Sequence, residues 1–409
     1  MNTCKICHSK TELIMDFGRM PIANGFIKKI TDKEYFFNLS LVFCPKCLMV
    51  QLGETVKPEM MFNDHYQFIS GTSTVMAKHF KEIANEIKQI VKKVKQPFIV
   101  ELGCNDGIML KHLWKFLHLG VEPSYNVAQM ARDNGLDIWE SFFNKTVSEE
   151  IVVYYKQADV INGSNVFCHI EDINSVFEGI KVLLKPDGVC FFEEPYIYDI
   201  IKKSSFDQIY DEHVYYYSGL SINNLAKRHG LKLVDMKHLD THGGSMRYYL
   251  KFKGKQSNRV KKYIKLEKQM KLHKFSGYKN FKRKVDVICK NLKYMLTTLK
   301  HATCYFDGYP LVGYGATSKS TTLLNYAKIG TDLVDYICDT TPTKIGMFTP
   351  GMHIPVKSHS QFVKDKHPVD GCEPPYILLL AWNHKKEIME KERNYRGKFI
   401  TYFPKVRIN

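Results

Sequence analysis

The sequence predicts an α/β protein in which two sheet-and-helix units follow a small cysteine-rich module. Short apolar runs alternate with helical stretches from Phe98 onward, and the alternation restarts after about residue 303, as a doubly wound parallel sheet requires. Before residue 72, two cysteine pairs stand in a stretch with little regular periodicity. A chain of 409 residues is longer than one hydrophobic core usually organises, so two or three domains are expected.

Individual runs place the strands. The central unit takes four of them from "PFIVEL", "HLGVEP", "ADVINGSNVF" and "GVCFFEEP", and the last unit takes its strands from "YPLVGYG", "DLVDYICD", "PYILLLAWN" and "KFITYFP". Between the units, basic residues alternate with apolar ones at helical spacing, which predicts a solvated connecting helix. The expected domains are a cysteine module over 1–72, a central α/β unit over 73–250, a basic helical connector over 251–302 and a C-terminal Rossmann-like unit over 303–409.

The composition of the chain limits the kinds of partner and the cellular location to be expected. The net charge of +17 fits a nucleic-acid partner or an anionic small substrate. No apolar run approaches the roughly 20 residues of a membrane span, and the start, "MNTCKICHSK", has no apolar signal region. A cytoplasmic protein without a membrane partner is therefore expected. Eleven cysteines without an export signal argue against a disulfide framework.

Two matching cysteine pairs predict a metal site. Cys4 and Cys7 form one C-x2-C pair, and Cys44 and Cys47 form another after 36 intervening residues. Each pair can grip one side of a tetrahedral ion, and four thiolates leave no open coordination position. Four unrelated buried cysteines would not explain two matching pairs. The prediction is structural Zn²⁺ without a catalytic role, with His8 as a bystander beside a ligand.

A glycine turn after the first central strand predicts a cofactor site. In "FIVELGCNDGIML", Asn105 stands where dinucleotide enzymes place the middle glycine of G-x-G, and Glu101 lies inside the strand end. The pattern resembles the first motif of methyltransferases that use S-adenosylmethionine. Glu122 ends the next strand, where a carboxylate can accept hydrogen bonds from ribose hydroxyls. The candidates for binding this cofactor lie at strand ends and in the turn: Glu101, Gly103, Asn105, Gly107, Glu122 and Asn165.

Read in order, several blocks make a more specific resemblance. The cysteine pairs, "ELGCNDGIML", "CHI", "FDQIYDEH", "HGGSMRY", "VGYGATSKS" and "DTTPTK" resemble the sugar C-methyltransferases, which methylate carbon 3 of nucleotide-linked 4-keto-6-deoxy sugars. The likeness runs nearly end to end. It implies a zinc-binding module, a class I methyltransferase Rossmann-like central domain and a Rossmann-like C-terminal domain. It also implies deoxysugar biosynthesis on a dTDP-linked substrate, and a monomer.

The resemblance implies a reaction and the residues that perform it. The ketone at carbon 4 acidifies the hydrogen at carbon 3, a base removes it, and the enolate carbon attacks the methyl group. Tyr66, His169, Tyr210 and His213 carry over from the family's active site, with Glu212 inside the same motif. His213 titrates near neutrality when unperturbed, and Tyr210 would share its face if the stretch were helical. Which of the two removes the proton stays open, and Glu212 is expected to orient His213 or a sugar hydroxyl.

Four further residues are candidates for binding the substrate. His242 and Arg247 lie in "HGGSMRY", where a guanidinium on a glycine turn could face a phosphate; a turn with surface charge is the alternative. Lys319 and Asn383 are assigned to the nucleotide diphosphate. Ser318 stands where a dinucleotide fingerprint would have its third glycine, so a redox cofactor is not favoured in the C-terminal unit.

Two other classes of protein compete with this interpretation. An RNA methyltransferase or nucleic-acid-binding protein could grip phosphates with the module and the basic helices, but the loop of the module is rich in apolar residues and has no basic cluster. A nucleotide-sugar binder without catalysis should lack the histidine and tyrosine positions, which are present. A C-methyltransferase of a nucleotide sugar is therefore favoured, and a nucleic-acid partner is not.

Overall fold

A computed structural model describes residues 3–61, 74–303, 311–365 and 376–409. Tyr66 lies outside these ranges. The described strands are β1 (Glu12–Pro21), β2 (Phe36–Phe43), β3 (Val50–Leu52), β4 (Phe98–Leu102), β5 (Leu117–Val121), β6 (Ile138–Trp139), β7 (Ala158–Ser164), β8 (Leu184–Pro195), β9 (Tyr215–Tyr216), β10 (Lys232–Leu239), β11 (Ser245–Lys251), β12 (Val312–Tyr314), β13 (Tyr336–Asp339), β14 (Val356–Ser358), β15 (Ile377–Leu379), β16 (Phe399–Thr401) and β17 (Arg407–Ile408).

Helices connect and cover these strands. The described α-helices are α1 (Thr74–Ile90), α2 (Tyr125–Asp133), α3 (Lys145–Tyr154), α4 (Ile173–Leu183), α5 (Ile197–Lys203), α6 (Gly219–Arg228), α7 (Asn258–Gln269), α8 (Phe281–Thr303), α9 (Ser318–Ala327), α10 (His359–Asp365) and α11 (Lys385–Lys391). Within the described ranges, none of them combines the length and the apolar composition that crossing a membrane requires.

The central sheet has seven strands in the order β10-β11-β8-β7-β4-β5-β6. Strands β4 to β8 run parallel, and β11 runs antiparallel to its neighbours β8 and β10. All five side chains of β4 are buried, because a strand covered by helices on both faces has no solvent side. The α/β fold and the four predicted central strands are confirmed. Strand order reverses around β4, and ligands bind at such switch points, at the carboxyl ends of the strands.

The C-terminal sheet has the order β14-β13-β12-β15-β16-β17 and is parallel except for the last pair. This confirms the second Rossmann-like unit. The basic segment before it contains α7 and α8. Although its lysines are largely exposed, Val285, Leu292 and Leu296 of α8 are fully buried. The apolar faces of this segment are packed against the protein, so it is not simply a solvated connector.

The small module shares one sheet with the central unit and one hydrophobic cluster with both large units. The module forms an antiparallel sheet in the order β1-β2-β3-β9. Its fourth strand, β9, comes from the central unit, directly after the block "FDQIYDEH" and Val214. One hydrophobic cluster contains Phe17 of β1, Ile200 of α5, Leu292 of α8 and Leu324 of α9. The loop before β9 is consequently held where all three units meet.

Candidate active site

A cavity of about 1390 Å³ begins at the carboxyl ends of β4, β5 and β7 and continues to the amino-terminal end of α9. Its wall includes Asn24 of the module, Glu122 and His213 of the central unit, and Lys319 and Asn383 of the C-terminal unit. Sites for one small molecule commonly measure about 300–1,000 Å³. The cavity is therefore large enough for two ligands side by side.

The glycine turn after β4 forms one end of the cavity. Gly103 has φ +62°, and a Cβ there would lie 2.3 Å from Cγ2 of Val166, so no other residue fits. Asn105, with φ 52°, belongs to one of the few residue types that tolerate the left-handed region. Gly103 and Asn105 line the cavity. Gly107 has φ +74°, and a Cβ there would meet Leu136; it shapes the turn.

Two predicted acidic residues occupy different positions at this end. Glu122 lines the cavity and accepts hydrogen bonds from the backbone N–H groups of Asn105 and Ser124, both at 3.0 Å. Burial raises its pKa. Glu101 lies inside β4, behind the turn, where burial and the charges of Asp106 and Glu122 raise its pKa. Glu122 is thus placed to accept from a ligand, whereas Glu101 is buried inside β4 and is not among the residues that line the cavity.

The loop that follows β7 completes the end of the cavity that the glycine turn forms, called the donor end below. Asn165 has φ 55°, lies on the cavity wall and donates its backbone N–H to the carbonyl of Glu193 at 2.8 Å. The next residue, Val166, fills the space above Gly103. Asn165 is therefore brought to the same end of the cavity as Asn105 and Glu122.

Tyr210 and His213 are in direct contact. Oη of Tyr210 lies 2.8 Å from Nε2 of His213, and the ring centroids are 4.3 Å apart. The two residues share a turn rather than a helix, with the N–H of His213 donating to the carbonyl of Tyr210 at 3.1 Å. Burial, reinforced by the charges of His169 and Lys319, lowers the pKa of His213 well below its ordinary value. The imidazole is therefore neutral near pH 7 and able to accept a proton.

His169 lies against the same pair. Its ring centroid is 5.1 Å from that of His213, and its Nδ1 lies 2.7 Å from the backbone carbonyl of Glu212. Because a carbonyl only accepts, Nδ1 carries the hydrogen and Nε2 is the unprotonated nitrogen. Burial lowers the pKa of His169. Two neutral imidazoles consequently face one region of the cavity.

Glu212 does not orient His213 through its side chain. Its Oε1 accepts a hydrogen bond from Nδ2 of Asn24 at 2.6 Å, and the phenol of Tyr210 is the group that contacts the His213 ring. Glu212 also lines the cavity, so its carboxylate is placed to meet a ligand there. Tyr215, Tyr216 and Tyr217 are buried and pack around the site.

The far wall carries positive charge. Lys319, in the first turn of α9, lines the cavity together with His242 and Asn383. Burial lowers the pKa of Lys319, while the charges of Asp207 and Glu212 oppose that shift. Burial also lowers the pKa of His242 to about 3, so this imidazole is neutral. Lys319 is placed to meet an anion.

Arg247 does not belong to this wall, which corrects the sequence prediction. It lies within β11, and its side chain is 2% exposed. Its Nε donates to Oε1 of Glu193 at 2.5 Å, and its guanidinium also pairs with Glu86. Two carboxylates already satisfy this charge. Arg247 therefore fastens α1 to the sheet and is unavailable to a phosphate.

Three cavity residues were missed by the sequence analysis. Lys344 donates from Nζ to the carbonyl of Ala316 at 2.8 Å and lies over the ring of Phe26; His384 follows Asn383 on the wall. Lys344 stands inside the block "DTTPTK", which carried part of the resemblance, and His384 follows the predicted strand run "PYILLLAWN" directly. Asn24, in the module, had no such signal because only the tertiary structure brings it to the cavity.

The four cysteines form a compact cluster. Cys4 Sγ lies 3.5 Å from Cys47 Sγ, and Cys7 Sγ lies 3.5 Å from Cys44 Sγ. Zinc with bonds of about 2.3 Å separates its sulfur ligands by roughly 3.8 Å, so the donors fit the ion. Each pair sits on a similar turn, in which a backbone N–H four residues on donates to the carbonyl of the first cysteine, Cys4 or Cys44. Four sulfurs leave no position for substrate.

Comparisons with known proteins cover every part of this architecture. A zinc binding domain model matches residues 4–62, a methyltransferase domain model matches residues 61–236 and a C-methyltransferase C-terminal domain model matches residues 240–404. The chain is 29% identical over 422 residues to the C-methyltransferase NovU of Streptomyces niveus, spanning all of this chain and 97% of that protein.

Other similarities are confined to the central unit. A ubiquinone biosynthesis O-methyltransferase of Salmonella paratyphi A is 27% identical over 100 residues, which are 23% of this chain and 40% of that protein. Among solved structures, a S-adenosylmethionine-dependent methyltransferase from Clostridium acetobutylicum is 17% identical with a TM-score of 0.35, and covers 43% of this chain and 92% of that one. The domain matches and the full-length relative, together with the geometry above, make this chain an S-adenosylmethionine-dependent C-methyltransferase whose four-cysteine module holds zinc.

Proposed function

We propose that the protein methylates carbon 3 of a dTDP-linked 4-keto-6-deoxy sugar through an enolate. The observation that carries this is the bonded Tyr210–His213 pair on the wall of the cavity that also contains the donor turn. A carbon acid needs a base that is positioned and unprotonated before the substrate arrives. The full-length similarity to a C-methyltransferase supports carbon as the nucleophile.

The donor end accounts for the cofactor. S-adenosylmethionine, when bound, supplies an electrophilic methyl group. Gly103, Asn105 and Asn165 would surround it, and Glu122 would accept hydrogen bonds from its ribose hydroxyls, because a carboxylate offers two oxygens to a pair of hydroxyls. These residues bind and orient the donor, and the proton chemistry belongs to the other end of the cavity.

The proton leaves carbon 3 through the Tyr210–His213 pair. The phenol oxygen of Tyr210 takes the proton while its own hydrogen passes to Nε2 of His213, which is neutral and in contact. The alternative, direct removal by His213, uses the same nitrogen. In both cases the electron pair of the C–H bond would form the enolate, whose carbon would take the methyl group as the bond between that group and the donor sulfur breaks. His169, whose Nε2 carries no hydrogen, would accept a hydrogen bond from a hydroxyl of the sugar on the same side.

The C-terminal wall accounts for the nucleotide. Lys319 and Lys344 supply two cations, and the positive end of the α9 dipole lies at the same wall, an arrangement that suits a diphosphate. Asn383 and His242 would complete the polar contacts with the substrate. Cationic groups confined to one end of the cavity favour a substrate whose anion is remote from the reacting carbon.

The decisive experiment offers the purified protein labelled methyl donor with a panel of dTDP-linked 4-keto-6-deoxy sugars and, separately, with RNA. We expect label on carbon 3 of at least one sugar, located by mass spectrometry and NMR. The same sugars reduced at carbon 4 are the matched control, because without the ketone the carbon-3 hydrogen is not acidic. Methylation of RNA and of no sugar would establish the nucleic-acid alternative instead.

A further inference from the structure

A loop of the zinc module forms part of the active site. Residues 22–27, called the module loop here, follow β1 and are buried or half-buried; Ala23 is 1% exposed. Asn24, at the tip, lies on the cavity wall. The cysteine cluster itself has no open position, so the module reaches the chemistry through this loop.

Contacts from two other units fix the module loop. The N–H of Ala23 donates to Oδ1 of Asp211 at 2.8 Å, and the carbonyl of Ala23 accepts from the hydroxyl of Thr321 at 2.8 Å. At the end of the loop, Ile27 and Phe348 exchange backbone hydrogen bonds of 3.1 and 2.8 Å. The backbone next to Asn24 is therefore held between the loop that contains Asp211 and helix α9. The position of Asn24 is thus set by tertiary structure.

The side chain of Asn24 meets Glu212. Its Nδ2 donates to Oε1 of Glu212 at 2.6 Å, an unambiguous direction because a carboxylate oxygen accepts. The Glu212 backbone is held independently by the 2.7 Å bond between its carbonyl and Nδ1 of His169. Glu212 is thus held through both its backbone and its side chain, and the residue, which lies at the cavity wall, is 6% exposed.

We propose that Asn24 is a positioning residue for methyl transfer: its amide holds one oxygen of the Glu212 carboxylate so that the other is presented to the sugar. This inference rests on the proposed function. A neutral amide suits the task because it fixes the carboxylate and leaves its charge intact, whereas a lysine would neutralise it and an aspartate would repel it. The zinc module would therefore affect turnover although its metal takes no part in the chemistry.

The test compares Asn24→Ala and Asn24→Asp with Asn38→Asp, an exposed asparagine on β2 of the same module. Loss of a hydrogen bond to a charged group is worth about 1.5–3 kcal/mol, so we expect kcat to fall roughly tenfold to a hundredfold in both Asn24 variants. The Asn38 variant should be unchanged. Zinc content and the Kd for S-adenosylmethionine should match those of the wild type, because neither the cluster nor the donor end is altered.

A double-mutant cycle separates positioning from general damage. If Asn24 acts through Glu212, then Asn24→Ala should lower kcat less than about twofold in a Glu212→Ala background, which has no acceptor for the Asn24 amide. Effects of the two substitutions that multiply would overturn the inference, as would Asn24 variants with wild-type kcat. A structural role alone would instead change zinc content or donor affinity.

Failure of the proposed function would be recognised separately. If the wild type methylates no keto sugar, the sugar assignment is wrong. The contact can still be tested by urea unfolding of the four proteins of the double-mutant cycle, which are the wild type, the Asn24→Ala variant, the Glu212 variant and the double variant. The contact predicts that the unfolding free energies of the two single variants do not add up to that of the double variant. Additive free energies would overturn the inference whatever the substrate is.

Discussion

The two α/β units contain a similar turn, but the side chains that line the cavity beside it are acidic in the central unit and basic in the C-terminal unit. In the central unit, Glu122 at the end of β5 accepts backbone hydrogen bonds from Asn105 and Ser124, both at 3.0 Å. In the C-terminal unit, Asp339 at the end of β13 accepts from Ala316 at 2.6 Å and Thr341 at 2.7 Å. In each unit, a carboxylate on the second strand fastens the turn that follows the first.

The units differ in what lies beside that turn. Glu122 is itself on the cavity wall, and Lys319 and Lys344 line the cavity beside the C-terminal turn. An acidic wall suits ribose hydroxyls and a cationic donor, and a basic wall suits a diphosphate. The fold thus supplies two similar crevices whose side chains differ in charge, with Glu122 in one and Lys319 and Lys344 in the other; we propose that this difference selects the ligand of each.

The largest expected effect lies between the two crevices, at the catalytic pair. His213→Asn should lower kcat by about 10²–10⁴-fold, the usual range for loss of a general base, with little change in the Kd of either ligand. Steady-state kinetics and calorimetric titrations measure these quantities. Tyr210→Phe is the companion variant, and near-normal methylation in both would show that the base lies elsewhere.

The next effect tests the acidic crevice. Glu122→Ala removes the acceptor for two ribose hydroxyls, so the Kd for S-adenosylmethionine should rise about a hundredfold, at roughly 1.5 kcal/mol for each bond to a charged group. Affinity for dTDP should be unchanged. Asp339→Ala is the matched control because it breaks the equivalent backbone bonds in the other unit. A weaker donor affinity in the control would contradict the separation of the two crevices.

The basic crevice should respond in the opposite way. Lys319→Met is expected to raise the Kd for dTDP about tenfold, the low end of the range for one charge-assisted contact, and to weaken the dependence of binding on salt. Donor affinity should stay within about twofold of the wild type. Lys262→Met, in the exposed part of α7, is the control for general loss of positive charge. Equal losses in both variants would assign dTDP affinity to the overall charge instead.

The smallest effect concerns pH. Burial lowers the pKa of both His169 and His213, so both remain neutral proton acceptors as the pH falls through 6.5, the ordinary value for histidine. We expect kcat at saturating substrates to change by less than about twofold between pH 8 and 6.5. A pH–rate profile measures this. An acid limb with its midpoint at or above pH 6.5 would show that burial does not depress these values in the working enzyme.

Sequence patterns were informative wherever the determinants are local. The C-x2-C pairs, the strand–turn–helix around Gly103 and the alternation of apolar runs depend on neighbours within a few residues, and the structure agrees with each. Arg247 shows the limit. A glycine turn beside an arginine indicated a phosphate site, but the strand that follows the turn pairs with β8 and carries the guanidinium to Glu193, a partner 54 residues away in the chain.

Residue types at short, fixed spacing were enough to predict the fold class, the zinc ligands and the donor turn, whereas the catalytic candidates came from the resemblance of several sequence blocks to a known family. Only the tertiary structure decided that Tyr210 contacts His213 through a turn, that Arg247 is already paired and that Asn24 reaches Glu212. The physical reason is that these contacts depend on how three units pack together. A hydrogen bond between residues 188 positions apart leaves no periodicity in the chain for a sequence pattern to detect.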